Sequence, residues 1–86
     1  MQQYVFPAVF IKNEDETYTS YIPDLNLTSD GETIEEAFLF IQDFLAVYCS
    51  YAKKVGEEET LVPTKFEKIV EANKRNVVML VDAYVK

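Results

Sequence analysis

The segment 22–37 constrains the fold more than any other part of the chain, because it has the pattern of a strand end followed by a helix start. Pro23 cannot donate a hydrogen bond to a neighbouring strand, so it marks the end of the strand before it. Thr33 and Glu36 have the spacing of a capping box, in which each side chain accepts a hydrogen bond from the other residue's N–H. Gly31 supplies the φ freedom that a sharp strand-to-helix connection often needs.

A helix over residues 34–54 follows the capping box. At 100° per residue, one row of its apolar side chains faces a core: Ile34, Phe38, Ile41, Leu45, Tyr48 and Ala52. A second apolar row widens the arc to about 200°, more than the roughly 100° needed to cover a sheet. We predict that this second row is an oligomer interface; the alternative is packing beneath the carboxy-terminal segment of the same chain. The row begins at Ala37 and continues with the four larger residues of the predicted interface, Phe40, Phe44, Val47 and Tyr51.

The remaining segments predict strands and a second, short helix. Residues 4–11 are apolar at both alternating positions, which indicates a strand buried on both faces. Residues 77–81 form an unbroken apolar run and predict a central strand. Thr64 is predicted to cap a short helix over residues 65–72. With strands at 17–22 and 25–29, the order β-β-β-α-β predicts an α+β fold: an antiparallel sheet of three to four strands, one long helix and one short helix, in a single domain spanning 1–86.

The charge of the chain is unevenly distributed. Its net charge is −7; residues 1–36 hold eight acids and one base, which gives 1 − 8 = −7, whereas residues 37–86 hold seven of each sign. Affinity for phosphate depends on clustered Lys and Arg, so we expect no direct binding of nucleic acid. A basic protein partner would be steered toward the acidic end; the alternative is an ordinary solvated acidic surface.

The available side chains disfavour catalysis. Histidine is absent, which removes the commonest general base and metal ligand. We therefore predict no catalytic, cofactor-binding or metal-binding residues and no enzymatic activity. One enzymatic alternative is a metal nuclease in which Asp24, Glu36 and Asp82 converge. The single cysteine, Cys49, is predicted to be a packing residue in a cytoplasmic protein, and no apolar run has the length of about 20 residues that spans a membrane.

Two sequence blocks resemble the amino-terminal signature of the HicB-type antitoxin family. They are Ile22-Pro23-Asp24-Leu25 and Gly31-Glu32-Thr33-Ile34-Glu35-Glu36-Ala37, where the family usually has Phe-Pro-Asp-Leu and Gly-Asp-Thr-x-Glu-Glu-Ala. The family's Pro-Gly-Cys is replaced by Asn26-Leu27-Thr28, and the chain stops at Lys86, where many members continue into a DNA-binding domain. The resemblance implies a partial ribonuclease H fold without that carboxy-terminal domain.

The resemblance also implies a function. Such antitoxins neutralise a small basic HicA-type ribonuclease toxin by masking its RNA-binding or active surface. On this interpretation the acidic end and neighbouring aromatic side chains would bind the toxin: Glu14, Asp15, Glu16, Tyr18, Tyr21, Asp24 and Glu32. The alternative is a stand-alone family member without a toxin, a scaffold or ligand binder. In either case we expect a homo-oligomer, a dimer or larger, because twelve Phe and Tyr residues exceed what one small core absorbs.

Overall fold

Four strands and two helices make up the fold in a computed structural model that describes all residues, Met1–Lys86. They are β1 (Gln2–Lys12), β2 (Tyr18–Ile22), β3 (Leu27–Gly31), α1 (Ile34–Lys54), α2 (Phe66–Ala72) and β4 (Val77–Val85), with a 3₁₀ turn at Glu58–Thr60. The strands form one sheet in the order β3-β2-β1-β4, and every neighbouring pair is antiparallel. The predicted α+β class, antiparallel sheet and element order are confirmed.

The main core lies between α1 and one face of the sheet. Because side chains alternate along a strand, β1 directs Phe6 and Phe10 to this face, and the β1–β4 register places Phe6 beside Val81. From α1, Ile41 and Leu45 are fully buried against them. The predicted core-facing row is therefore correct in its centre, although Tyr48 lies partly exposed and the flanking Ala37 and Cys49 are buried instead.

The short helix α2 packs on the other face of the sheet. It contacts β1 and β4 and makes no contact with α1. Its one buried residue is Ile69, and on β1 the outward-alternating Val9 is buried although it does not belong to the main core. This second layer explains why β1 is apolar at both alternating positions, as the sequence predicted for a strand buried on two sides. None of the helices has the length and hydropathy needed to cross a membrane.

The prediction that residues 77–81 form a central strand is wrong. These residues begin β4, which lies at the edge of the sheet, and Val77 and Leu80 are about half exposed. Of the five side chains in this run only Val81 is buried, so the run does not reflect burial on both faces. Gln42 on α1 partly covers that edge, since its Nε2 donates to Asp82 O and Oδ1, each at 3.0 Å.

Pro7 lies inside β1, where a proline is expected only if its missing donor has no partner. The β1–β2 pairing runs from Lys12 only as far as Val9 opposite Tyr21. Extending this antiparallel register by two residues would place Pro7 opposite Pro23, so neither residue could donate to the other. On the amino-terminal side of Val9, β1 pairs with β4 alone. The two prolines therefore end the β1–β2 ladder at the same point.

Cys49 gives the core a dependence on alkaline pH. The side chain is fully buried, and burial raises the pKa of its thiol from 9.0 to about 11. A thiol whose pKa is higher in the folded state favours folding below its unfolded pKa and loses that contribution as pH rises through the folded value. We expect the free energy of unfolding to fall between pH 9 and about 11, as measured by urea unfolding. The variant Cys49→Ala should show a shallower fall; an unchanged slope would contradict this assignment.

Candidate protein-binding surface

The start of α1 is fixed by reciprocal hydrogen bonds. Thr33 has an extended conformation (φ −127°, ψ 164°) and its Oγ1 accepts from the Glu36 N–H, at 3.1 Å. The predicted capping by Thr33 is confirmed. The return bond differs from the prediction, because Glu36 Oε1 accepts from the N–H of Glu32, at 3.0 Å, instead of Thr33. The carboxylate thus reaches one residue further back and joins the helix to the end of β3.

Gly31 is required by close packing. Of the two glycines, only Gly56 has a φ in the left-handed region. The prediction that Gly31 is needed for its φ freedom is therefore wrong. A Cβ on Gly31 would collide with the backbone N of Ala37 and lie 2.8 Å from its Cα. Nearby, Ser20 Oγ donates to Ala37 O at 3.1 Å. The first turn of α1 therefore sits directly on β2 and β3, which holds its acidic residues beside the strands.

The β1–β2 turn carries the acidic run of the sequence. The Asn13 N–H donates to Thr17 O at 2.8 Å and the Glu16 N–H donates to Asn13 O at 3.1 Å, with Glu16 in the left-handed region at φ 71°. Lys12 Nζ lies 2.9 Å from Glu16 Oε2, and this hydrogen bond and charge raise the pKa of Lys12. The single base of residues 1–36 is thus already paired with an acid of the same turn.

A groove with acidic walls lies between this turn and the start of α1. Asp15 Oδ1 accepts from the Thr17 N–H at 3.1 Å and from Thr17 Oγ1 at 2.6 Å, and these bonds hold the pKa of Asp15 below its usual value. Across the sheet, Thr19 Oγ1 donates to Asp30 Oδ1 at 3.0 Å. The groove has a volume of about 470 Å³ and no apolar residue in its lining, which comprises Asn13, Asp15, Thr17, Asp30, Gly31, Glu32 and Glu36. Four carboxylates therefore face one open groove, and we name it the acidic groove.

The structure places only some of the sequence-predicted residues here. Asp15 and Glu32 line the acidic groove, and Glu14 and Glu16 are exposed on the adjoining turn. Tyr18 instead packs against the main core.

The other two predicted residues lie apart from the groove. The Tyr21 side chain lies on the face of β2 opposite to that of Tyr18. In the sheet, Tyr21 is paired with Val9 on β1 and with Thr28 on β3. Asp24 follows β2 at the end remote from the turn.

Two carboxylates of the groove, Asp30 and Glu36, are not among the partner-binding residues that the sequence predicts. The β2–β3 register places Asp30 opposite Thr19 and so brings its carboxylate to the groove. Glu36 is explained at the level of sequence by the capping box. Both belong to the acidic half of the chain, so net charge is the one available signal, and it does not specify which acids converge.

Two solved structures of an antitoxin share this fold. The crystal structure of the N-terminal domain of the Burkholderia pseudomallei antitoxin HicB has a TM-score of 0.79 at 24% identity, covering 95% of this chain and 98% of that one. The chain has the fold of the HicB N-terminal domain. The crystal structure of the B. pseudomallei antitoxin HicB matches with a TM-score of 0.80 at 23% identity over 91% of this chain, which spans 60% of that chain. No protein-family model matches the sequence, and no curated protein matches it.

In this HicB-like fold, Asp24 of the Pro-Asp-Leu block holds the loop before α2. Asp24 Oδ2 accepts from the Thr64 N–H at 2.9 Å, and Asp24 Oδ1 accepts from the Thr64 hydroxyl. The prediction that Thr64 caps α2 is therefore wrong: its hydroxyl is engaged by Asp24, and the N-cap position is Lys65, without a side-chain hydrogen bond. The Asp24 carboxylate links the β2–β3 turn to a segment 40 residues further along the chain.

This link predicts energetic coupling between Asp24 and Thr64. Asp24→Ala leaves both the Thr64 N–H and its hydroxyl without this acceptor, at a cost of about 1–3 kcal/mol, whereas Thr64→Val removes only the hydroxyl bond and keeps the N–H bond to Asp24 Oδ2. In a double-mutant cycle with Asp24→Ala and Thr64→Val, we expect each single variant to lower the free energy of unfolding and the double variant to lose little more. Strictly additive losses would contradict a direct interaction.

The three carboxylates of the metal-nuclease alternative do not form a site in the HicB-like fold. Asp24 is bound to Thr64 and Glu36 to the Glu32 N–H, while Asp82 lies on the edge strand β4 and accepts from Gln42. No group of three His, Cys, Asp or Glu side chains in the chain is arranged to hold a metal ion. The three proposed carboxylates do not converge.

The second apolar row of α1 is uncovered. Its four larger side chains are exposed and do not pack beneath the carboxy-terminal segment, whereas Ala37 at the start of the row is buried. That segment forms β4, and the side of α1 nearest to it carries Gln42, which contacts Asp82. The packing alternative is therefore wrong.

Proposed function

We propose that this chain is an antitoxin-like protein-binding module that neutralises a small basic HicA-type ribonuclease toxin by covering its RNA-binding or active surface. The acidic groove is the observation that carries this proposal. Its four carboxylates converge where the only base of the first 36 residues is already paired. The shared fold with the N-terminal domain of an antitoxin supports the same role.

The proposed inhibition is electrostatic and steric. A ribonuclease that binds RNA presents cationic side chains to phosphates, and the carboxylates of the groove would occupy the positions of those phosphates. Hydrogen bonds from Thr17 and Thr19 orient Asp15 and Asp30 before any partner arrives, which reduces the ordering cost of binding. The chain itself performs no chemistry in this proposal.

The surrounding turn extends the proposed contact. Glu14 and Glu16 add charge at the rim, where exposed acids chiefly accelerate and steer association. Tyr21 lies on β2 outside the groove and is a proposed aromatic anchor at the edge of the contact, since aromatic side chains dominate the energetics of protein interfaces. Tyr18 and Asp24 were predicted to contact the partner as well; their packing in the core and against Thr64 gives them a supporting role in this proposal.

Affinity capture tests the proposal. The tagged chain is used to recover partners from cells of its own source, and the recovered proteins are identified by mass spectrometry. We expect one small basic protein with ribonuclease activity, in a complex that dissociates as salt is raised, because screening weakens exposed charge pairs. Recovery of the chain alone would contradict the proposal.

A second candidate function is a stand-alone oligomeric scaffold without a toxin. The uncovered apolar row of α1 favours self-association whether or not a toxin exists. If capture recovers only copies of the chain, this function replaces the first. Both candidates place the protein in the cytoplasm, in agreement with its free, buried Cys49.

A further inference from the structure

The uncovered row of α1 has the period of a helix–helix seam. Phe40, Phe44, Val47 and Tyr51 are spaced by four, three and four residues, the heptad spacing that keeps side chains on one line between paired helices. Their exposed fractions are 44%, 48%, 69% and 66%. By helical geometry this line is centred about 110° from the core-facing row. It is therefore available to a second surface while α1 remains packed on its own sheet.

The exposed area approaches that of one side of a stable interface. A groove of about 480 Å³ runs beside the seam, lined only by apolar residues from β3 and α1: Leu27, Phe44, Val47, Tyr48 and Tyr51. With roughly 200 Å² for each aromatic side chain, the exposed part of the seam and Tyr48 amounts to about 500 Å². A standard interface buries about 800 Å² on each partner, a value that the charged rim and Leu27 would largely complete.

The charges along the seam select the occupant and its direction. On the flank away from the core, helical geometry aligns Glu36, Asp43, Ser50 and Lys54. A parallel copy would turn this flank toward the partner's core-facing row, which carries no charge, so Asp43 and Lys54 would have no charged neighbour. An antiparallel copy places Asp43 beside the partner's Ser50 and Lys54 beside the partner's Glu36. The seam is thus complementary to itself in the antiparallel direction.

We propose that a second copy of this chain covers the seam, with the two α1 helices antiparallel about a twofold axis. In this dimer Phe40 packs against the partner's Tyr51, and Phe44 packs against the partner's Val47. A twofold interface uses the same surface on both copies, as this self-complementary arrangement requires. The dimer does not depend on a toxin partner, so it is tested with this chain alone.

Sedimentation equilibrium of the full chain across a dilution series tests the proposal. We expect a mass of twice 9.9 kDa for the wild type, and a dissociation constant at least about 30-fold higher for Val47→Asp. Val62→Asp is the matched control, since Val62 is 70% exposed and lies outside the seam; it should leave the dimer unchanged. Circular dichroism verifies that both variants fold. A monomeric wild type, or a dimer that Val47→Asp leaves intact, would overturn the proposal.

Disulfide cross-linking tests the antiparallel register. In the proposed dimer the double variant Phe40→Cys/Tyr51→Cys brings each new thiol close to the other position of the partner, and we expect a covalent dimer under mild oxidation. The single variant Tyr51→Cys should not cross-link, because its two copies lie roughly 16 Å apart along the antiparallel helices, at a rise of about 1.5 Å per residue. Efficient cross-linking of the single variant would indicate parallel helices and overturn the proposed register.

Discussion

Gly31→Ala is expected to lower the free energy of unfolding by at least about 3 kcal/mol, the upper part of the range for overpacked sites. The new Cβ would overlap the backbone N and Cα of Ala37 in the first turn of α1. Backbone atoms cannot rotate away as a side chain can. Relief therefore requires α1 to move off β2 and β3, which also strains the hydrogen bond from Ser20 Oγ to Ala37 O. Small domains have only about 5–15 kcal/mol of stability in total.

The second glycine of the chain provides the control. Gly56 has a φ of +76°, and no atom lies within 4 Å of the position that a Cβ would occupy there. Gly56→Ala therefore introduces only the left-handed backbone cost of about 1–2 kcal/mol. Urea unfolding followed by far-UV circular dichroism measures both variants at one protein concentration, because association adds to apparent stability. Equal losses in the two variants would show that packing against Ala37 is not the reason for Gly31.

Charge reversal at the acidic groove is expected to weaken partner binding by at least 100-fold, which corresponds to about 2.7 kcal/mol. The variant is Glu14→Lys/Glu32→Lys, chosen because neither side chain makes a hydrogen bond or salt bridge within the chain. It replaces attraction to a basic partner by repulsion at the turn and inside the groove, and like charges across an interface cost several kcal/mol. Titration calorimetry with the captured partner measures the change.

The control for this variant changes the same total charge elsewhere. Glu57→Lys/Glu59→Lys alters two exposed acids around the 3₁₀ turn, far from the groove in sequence. Screening over a Debye length of about 8 Å limits its effect on affinity to within about fivefold. If the two variants weaken binding equally, the partner responds to net charge and the acidic groove is not its binding site.

Local chemistry made the long helix predictable from sequence. Thr33 and the acids after it fix its start, and its predicted bounds agree with α1. The third strand begins two residues later than predicted, because the β2–β3 turn continues to Asn26, whose φ of 54° ends it. A tolerated left-handed asparagine is not distinguishable from a strand residue in a single sequence.

The positions of residues that are distant in the chain were less predictable from the sequence. The apolar run of residues 77–81 predicts a central strand, but strand order decides whether the edges of a strand are paired, and that order depends on contacts across the chain. For the same reason, the sequence predicted an acidic end without identifying the groove. Asp30 and Glu36 join Asp15 and Glu32 only through strand register and the packing of α1 on β3. The bond between Asp24 and Thr64 links residues 40 positions apart and has no local pattern in the sequence.

Inhibition of the captured partner's ribonuclease activity is the most direct test of the central claim. The purified chain is titrated into the partner with an RNA substrate, together with the groove variant and its charge-matched control. We predict stoichiometric inhibition by the wild type and by Glu57→Lys/Glu59→Lys, and little inhibition by Glu14→Lys/Glu32→Lys at the same concentration. A partner whose activity is unaffected by the wild-type chain, or is inhibited equally by the groove variant, would contradict an antitoxin acting through the acidic groove.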